Sequence, residues 1–349
     1  MLDTPTPAAG TAEAGEEALR EGARLVEPHL RTIIDSLHGD VARVCRHHLG
    51  WTQDPTAPHR AGTTGKGVRA ALAVLSARSC GSPDETAAAA GTAVELVHQF
   101  SLLHDDVMDG DHERRGRPAA WVAFGIGPAV LAGDALLVQA VSALFRTGTA
   151  HLPDALRQLL AALNATIDGQ AEDLALEHLP ARAVPPRRYL HMAAAKTGAL
   201  LGCATSLGAL LTGQPERARH LQQAGTALGV GFQIIDDVLG LWGDRTVTGK
   251  PVGTDLLRGK KTLPLLLALS SGTPAGQNAA ALLESHPPSA HSLARLTTLL
   301  DQAGARAAAG RAAEEQLRVA AAALDRAELP PAQRERWDGL MAALVRRTR

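Results

Sequence analysis

Two long apolar stretches of this chain each end in a knot of aspartates, and that pairing limits the fold more than any other feature. The first is ELVHQFSLLHDDVMDGD, which closes on Asp105, Asp106 and Asp109. The second is GFQIIDDVLGLWGD, which carries Asp236, Asp237 and then Asp244. Both have the apolar spacing of a helix and lack strand alternation. Asp105 and Asp109 stand at i and i+4, so they share one helix face about 6 Å apart along the axis. Like charges at that spacing repel, and a helix C-terminus is the unfavourable end for them. Unpaired charge in apolar surroundings is also costly. Two such helices predict an arrangement in which the clusters face each other across a cavity, with divalent metal between them.

The rest of the chain reads the same way. Helical patterns run from about residue 17 to a loop at 50–67. They resume over 68–79, 85–109, 120–147, 151–175, 188–212, 216–242, 262–270, 288–306, 309–327 and 331–347. Loops rich in Pro, Gly and charge fall near 110–118, 179–187, 243–261 and 271–287. Alanine, the best helix former, is abundant. The expected fold class is all-α, with antiparallel helices around a large central cavity. Residues 1–15 read as a disordered tail and 16–349 as a single helical domain.

Charge and cysteine content exclude other classes. The chain has 35 basic and 36 acidic residues, a balance of -1 that makes no case for nucleic acid or a charged membrane surface. Cys45, Cys80 and Cys203 are widely spaced and form no CxxC, so neither structural zinc nor a disulfide framework is expected. The N-terminus lacks the basic start and apolar core of a signal peptide. No uninterrupted apolar run reaches membrane-spanning length, the nearest being 119–143. A cytoplasmic location and no transmembrane segment are the expectations.

Cations follow both clusters. Arg114 and Arg115 stand just beyond the first; Lys250, Arg258, Lys260 and Lys261 stand beyond the second. Carboxylates, a hard divalent cation and Lys/Arg together make a polyphosphate site. Oxygen-only ligands favour Mg²⁺ over zinc. GTTGKG at 62–67 is too short for a nucleotide P-loop.

At this point the residues resemble the trans-prenyl diphosphate synthases, the polyprenyl synthetase family. The motifs occur together and in order over roughly residues 20–345. The family's DDxxD is similar to Asp105-Asp106-x-x-Asp109, its RRG to Arg114-Arg115-Gly116, and its GKxxR to Gly65-Lys66-x-x-Arg69. Further matches are Gly169-Gln170-x-x-Asp173-Leu174, Lys196-Thr197, Phe232-Gln233-x-x-Asp236-Asp237, and the Lys250 and Lys260 loop. The resemblance implies an isoprenoid synthase fold that joins isopentenyl diphosphate head to tail to an allylic diphosphate. It also implies three Mg²⁺ per active site, with diphosphate bound, and a homodimer.

The resemblance distributes the residues as follows. Asp105, Asp109 and Asp236 bind metal, with Asp106 and Asp237 as further candidates. Lys196, Thr197, Gln233, Lys250, Lys260 and Arg114 contact the allylic diphosphate side. Lys66, Arg69, His98 and Arg115 take isopentenyl diphosphate. Asp105, Asp106, Asp109, Lys196, Asp236 and Lys250 form the catalytic set. One position departs from the pattern: the last Asp of the second cluster is Gly240. Phe100, five residues before Asp105, and the small Ser101 resemble the chain-length floor of enzymes that make C20 products. Geranylgeranyl diphosphate is the expected product. Farnesyl or geranyl diphosphate synthesis, a class I terpene synthase, and a non-catalytic regulatory subunit are the alternatives.

Overall fold

The computed structural model describes residues 9–51, 67–243, 253–285 and 289–346. Lys66, Asp244 and Lys250 lie outside the described residues. The chain enters on α1 (Ala9–Asp35) and α2 (Gly39–Leu49), followed by α3 (Val68–Ser79) and α4 (Asp84–Met108). A two-stranded hairpin, β1 (Glu113–Arg114) with β2 (Arg117–Pro118), leads to α5 (Ala120–Phe124), α6 (Ile126–Phe145) and α7 (Leu152–Glu177). Next come α8 (Pro186–Ala193), α9 (Ala199–Leu211) and α10 (Pro215–Trp242). The C-terminal part holds α11 (Thr254–Leu257), α12 (Leu263–Leu269), α13 (Pro274–Ser285), α14 (Ala290–Gln302), α15 (Ala305–Arg326) and α16 (Pro331–Arg346). The fold is all-α apart from the hairpin.

The middle of the bundle is built from α3, α4, α9 and α10. Every α3 residue from Ala70 to Ala77 is buried, as is most of α9. Such helices are apolar on all sides because other helices surround them. One continuous apolar core joins these elements to α1, α2, α6 and α16. Two smaller clusters lie under α8–α12–α15 and under α11–α14. Trp337 of α16 is 1% exposed and donates its indole N–H to the Ser79 hydroxyl at 3.0 Å, which ties the C-terminal helix to α3.

The structure differs from the sequence reading in several places, including the hairpin within the expected loop 110–118 and α11 within the expected loop 243–261. The helix expected from residue 17 begins at Ala9, inside the stretch read as a tail; Ala and Glu there favour helix. It then breaks at 36–38, where α2 starts. The segment 120–147 is broken at Gly125, whose φ of 91° no helix residue adopts. The loop expected at 271–287 contains α13, started by Pro274 at its first position.

Among the described residues, three helical spans are long and apolar enough to cross a membrane by length and composition: Ile126–Phe145, Pro186–Leu211 and Pro215–Trp242. No uninterrupted run signalled them, because Gly and isolated charges interrupt each one. The second and third bury most of their surface within the bundle, which accounts for their composition. The first does not. Leu131, Val138 and Phe145 recur every seven residues along α6 and are each about 60% exposed.

Between α8 and α9 the helix widens into one π turn, Ala194–Gly198, which carries Lys196 and Thr197. Such turns concentrate at functional sites. Gly169 of α7 faces this turn. A Cβ there would lie 2.2 Å from the Lys196 backbone nitrogen, closer than any real contact. Gly169 therefore lets α7 and the π turn touch backbone to backbone. Gly169→Ala is expected to lower stability by about 1–3 kcal/mol, as overpacking does. Denaturant unfolding checks this.

Candidate active site

The first aspartate cluster ends α4 because the chain must turn there. Asp105 and Asp109 sit on the recessed face, while Asp106 is 1% exposed on the adjacent one. The hairpin that follows returns the chain over this end. Its two-residue turn is Arg115-Gly116, with φ of 55° and 74°. Two successive left-handed residues define the hairpin turn that matches strand twist, and Gly at the second suits it. Arg115 is the costly member. The turn sends Arg114 back to Asp106: its Nε donates to both carboxylate oxygens, at 2.9 and 3.2 Å, and its terminal nitrogen donates as well. Burial opposes the Arg114 charge, but the Asp106 hydrogen bond and charge prevail and hold it above its usual range.

Of the cations expected beyond the second cluster, Lys260 reaches the first, whereas Lys261 donates to the Glu177 and Gly259 carbonyls. Lys260, on the loop after α11, donates to Asp109 Oδ2 at 2.9 Å. It also stands 3.9 Å from Asp173 of α7. Lys196, in the π turn, donates to the same Asp173 oxygen at 2.5 Å. Arg258 pairs with Asp111, just beyond the first cluster. Burial works against the Lys260 charge, and Asp109 and Asp173 more than offset it. The loop beyond the second cluster is thus bridged to the end of the first helix.

The second cluster splits in two. Asp236 is exposed, and its charge is felt by Arg69 together with that of Asp105. Both clusters therefore border one space. Asp237 is 6% exposed and accepts the backbone N–H of Leu263 at 2.9 Å, at the start of α12. Gln233 accepts from the Thr197 hydroxyl at 2.8 Å and donates to Asp237 at 3.4 Å. Burial lifts the Asp237 carboxyl to about 7, against the pull of the Tyr189 hydroxyl and the Leu263 N–H. Gly240 leaves a gap that another acid approaches: Asp255 Oδ2 lies 3.4 Å from where a Cβ at 240 would stand.

On the other side, Arg69 donates to His98 Nε2 at 3.1 Å. Burial, with Arg69 and Arg115 beside it, keeps His98 neutral, so its proton is on Nδ1. Phe100, 7% exposed, sets its ring edge-on to His104 with centroids 4.7 Å apart. The Ser101 hydroxyl turns back to the His98 carbonyl at 2.9 Å. Sequence reasoning did not place Asp111, Asp173, Asp255 or Glu95 among the site residues. Asp173 was legible as part of GQxxDL; its role as the acid shared by two lysines needed the fold.

No three His, Cys, Asp or Glu side chains converge into a closed metal cage among the described residues. Mg²⁺ does not require one. It is bound through one or two carboxylates, with waters and substrate phosphates completing the shell. The residues fit that use. Asp109 Oδ1 is buried with no hydrogen-bond partner. Asp105, one turn away, is lifted to about 6 by burial, which Lys196 opposes and Asp109 reinforces. Two neighbouring carboxylates, one with an unpartnered buried oxygen, suit a hard cation.

The all-helical bundle thus gathers acidic helix ends and the lysines and arginine that pair with them. The chain matches polyprenyl synthetase over residues 54–300, and it belongs to that family. Geranylgeranyl diphosphate synthase of Mycobacterium tuberculosis is 42% identical over 325 residues, covering 92% of this chain and 91% of that protein. The crystal structure of a polyprenyl synthetase from Streptomyces coelicolor superposes with a TM-score of 0.88 at 38% identity, covering 95% and 99% of the two chains. A polyprenyl synthase from Caulobacter crescentus, solved with calcium and isoprenyl diphosphate, gives 0.79 at 29%, covering 94% and 97%. The fold is the all-α isoprenoid synthase fold.

The Asp105 environment has a measurable consequence in metal-free protein. Its folded pKa lies above the ordinary 3.8, so the folded state holds the proton more tightly. That contribution to stability is present below pH 4 and is lost as pH rises through about 6. Asp105→Asn should therefore stabilise metal-free protein at pH 8 by roughly 1–3 kcal/mol, with the gain vanishing near pH 4. Thermal unfolding at both pH values checks this. Added Mg²⁺ should raise the wild-type midpoint at pH 8 more than that of the variant.

Proposed function

We propose that this chain joins isopentenyl diphosphate to an allylic diphosphate, head to tail, and releases a short-chain prenyl diphosphate. The observation that carries this reading is the set of ion pairs that joins Lys196 and Lys260 to Asp173 and Asp109. Carboxylates alone would repel a diphosphate, and cations alone would hold it without activating it. Together they bind it through metal and direct charge.

Asp105, Asp109 and Asp236 would hold Mg²⁺, three ions with diphosphate bound, and the metal would supply positive charge to offset that on the departing diphosphate. Lys196, Lys260 and Arg114 share that task, with Lys250 from outside the described residues. Asp237 holds the α12 start and, with Gln233 and Thr197, the wall beside it. The allylic C1–O bond breaks with its electron pair leaving on diphosphate. The π bond of isopentenyl diphosphate, held by Arg69, His98, Arg115 and Lys66, then bonds to C1. A proton leaves the adjacent carbon, and the released diphosphate is the base at hand. Apolar helix walls exclude water from the cation.

The favoured product is geranylgeranyl diphosphate. Phe100, one and a half turns before Asp105 on α4, would form the floor beneath the growing chain, with the smaller Ser101 beside it. Protein incubated with Mg²⁺, isopentenyl diphosphate and each allylic primer from C5 to C15 should give a dominant C20 diphosphate by mass spectrometry. Phe100→Ala should lengthen it by at least one C5 unit. A C15 or C10 end product would support farnesyl or geranyl diphosphate synthesis instead. A cyclised hydrocarbon would support a terpene synthase, and no condensation with any primer would support a regulatory subunit.

A cytoplasmic homodimer completes the reading. The exposed seven-residue repeat of Leu131, Val138 and Phe145 on α6, with Leu160 and Ile167 on α7, is an apolar seam of the kind that pairs helices. Val138→Glu should convert a dimer to a monomer in analytical ultracentrifugation.

A further inference from the structure

Phe100 and His104 stand one turn apart on α4, so they share a face. Side chains on a helix lean toward its N-terminus, and the His104 ring therefore lies back over the turn that holds Phe100. The two rings meet edge to face, with centroids 4.7 Å apart and planes at 63°. The proposed reaction uses Phe100 but gives His104 no part, although His104 directly precedes the proposed metal ligand Asp105.

A second helix fixes the His104 ring. Its Nε2 lies 3.1 Å from the Val130 carbonyl oxygen on α6. A carbonyl only accepts, so Nε2 carries the proton and donates it. Asp134 Oδ1 stands 3.7 Å from the same nitrogen and favours that N–H. Gly133, beside Asp134, makes the approach possible. A Cβ there would lie 2.3 Å from His104 Nε2 and 2.4 Å from Cδ2, inside any real contact distance. The ring therefore touches the α6 backbone and the Phe100 ring at once.

We infer that His104 is a positioning residue for product length: anchored on α6, it fixes the direction of the Phe100 ring and so sets how far the growing prenyl chain extends. This rests on the proposed function, in which Phe100 forms the floor. An aromatic side chain on a helix has few rotamers, and a neighbour that fills one direction selects among the others. With His104 truncated, Phe100 can turn into the vacated space, and the floor drops. His104 acts through Phe100 rather than on substrate.

The test is product analysis of full-length variants given Mg²⁺, isopentenyl diphosphate and the preferred allylic primer, compared at matched turnover by mass spectrometry. The readout is the ratio of product one C5 unit longer than the wild-type end product to that end product. In His104→Ala this ratio should rise about threefold to tenfold, as loss of one aromatic contact implies. His104→Gln keeps an amide donor but no ring; it should show the same shift, and it supplies the reading if His104→Ala fails to fold. His104→Phe keeps a ring against Phe100 and should restore most of the wild-type ratio. The double variant Phe100→Ala with His104→Ala should make the same products as Phe100→Ala alone, because nothing is left to position. A lower unfolding midpoint with an unchanged ratio in the His104 variants overturns the inference, and so does a double variant whose shift is the sum of the two singles. Wild-type product lengths from Phe100→Ala would overturn the floor assignment and this inference together. Wild-type protein that condenses nothing would overturn the proposed function and the inference with it.

Discussion

The structure depends on balancing charge inside an apolar bundle. Aspartates at the ends of buried helices are costly unless something of opposite sign meets them. Four of the recessed acids have a cation: Asp106 with Arg114, Asp109 with Lys260, Asp173 with Lys196, Asp111 with Arg258. Burial lifts Asp105 and Asp237, and Asp109 Oδ1 has no hydrogen-bond partner. The deficit lies where a metal ion and a diphosphate would complete it. Local charge crowding is thus the physical trace of the site's purpose.

The backbone supports this balance with local devices that each cost something. The π turn forgoes regular helix bonding to present Lys196 and Thr197. The hairpin accepts a left-handed arginine to send Arg114 and Arg115 in different directions. Gly169 gives up side-chain packing so that α7 and the π turn can meet. Consistency elsewhere, in alanine-rich buried helices and one continuous core, sustains these exceptions.

Much of the site was legible in the sequence because its residues sit at fixed helical or motif spacing. Asp105 with Asp109, Arg114 with Arg115, and Lys196 with Thr197 are neighbours along the chain. Contacts between distant segments were not legible. Nothing in the sequence says that Asp173 would be shared by Lys196 and Lys260, or that Asp255 would approach the gap at Gly240. The fold was legible to the level of the helices. The missed breaks at 36–38 and Gly125 are where tertiary packing redirected chain that reads as continuous, and α13 was hidden among Gly, Pro and Ser.

The opposed roles of the two clusters also became clearer. In the first, Asp106 is committed to Arg114 of the hairpin, while Asp105 and Asp109 lie on the adjacent face. In the second, Asp236 is exposed and Asp237 is committed to the start of α12. The central claim is that these carboxylates act on diphosphate through divalent metal. Isothermal titration of a non-reactive allylic thiolodiphosphate, with and without Mg²⁺, tests it most directly. Strong binding that needs Mg²⁺, and that Asp105→Asn with Asp109→Asn abolishes, is the predicted result. Equal binding in the presence of a chelator would contradict it.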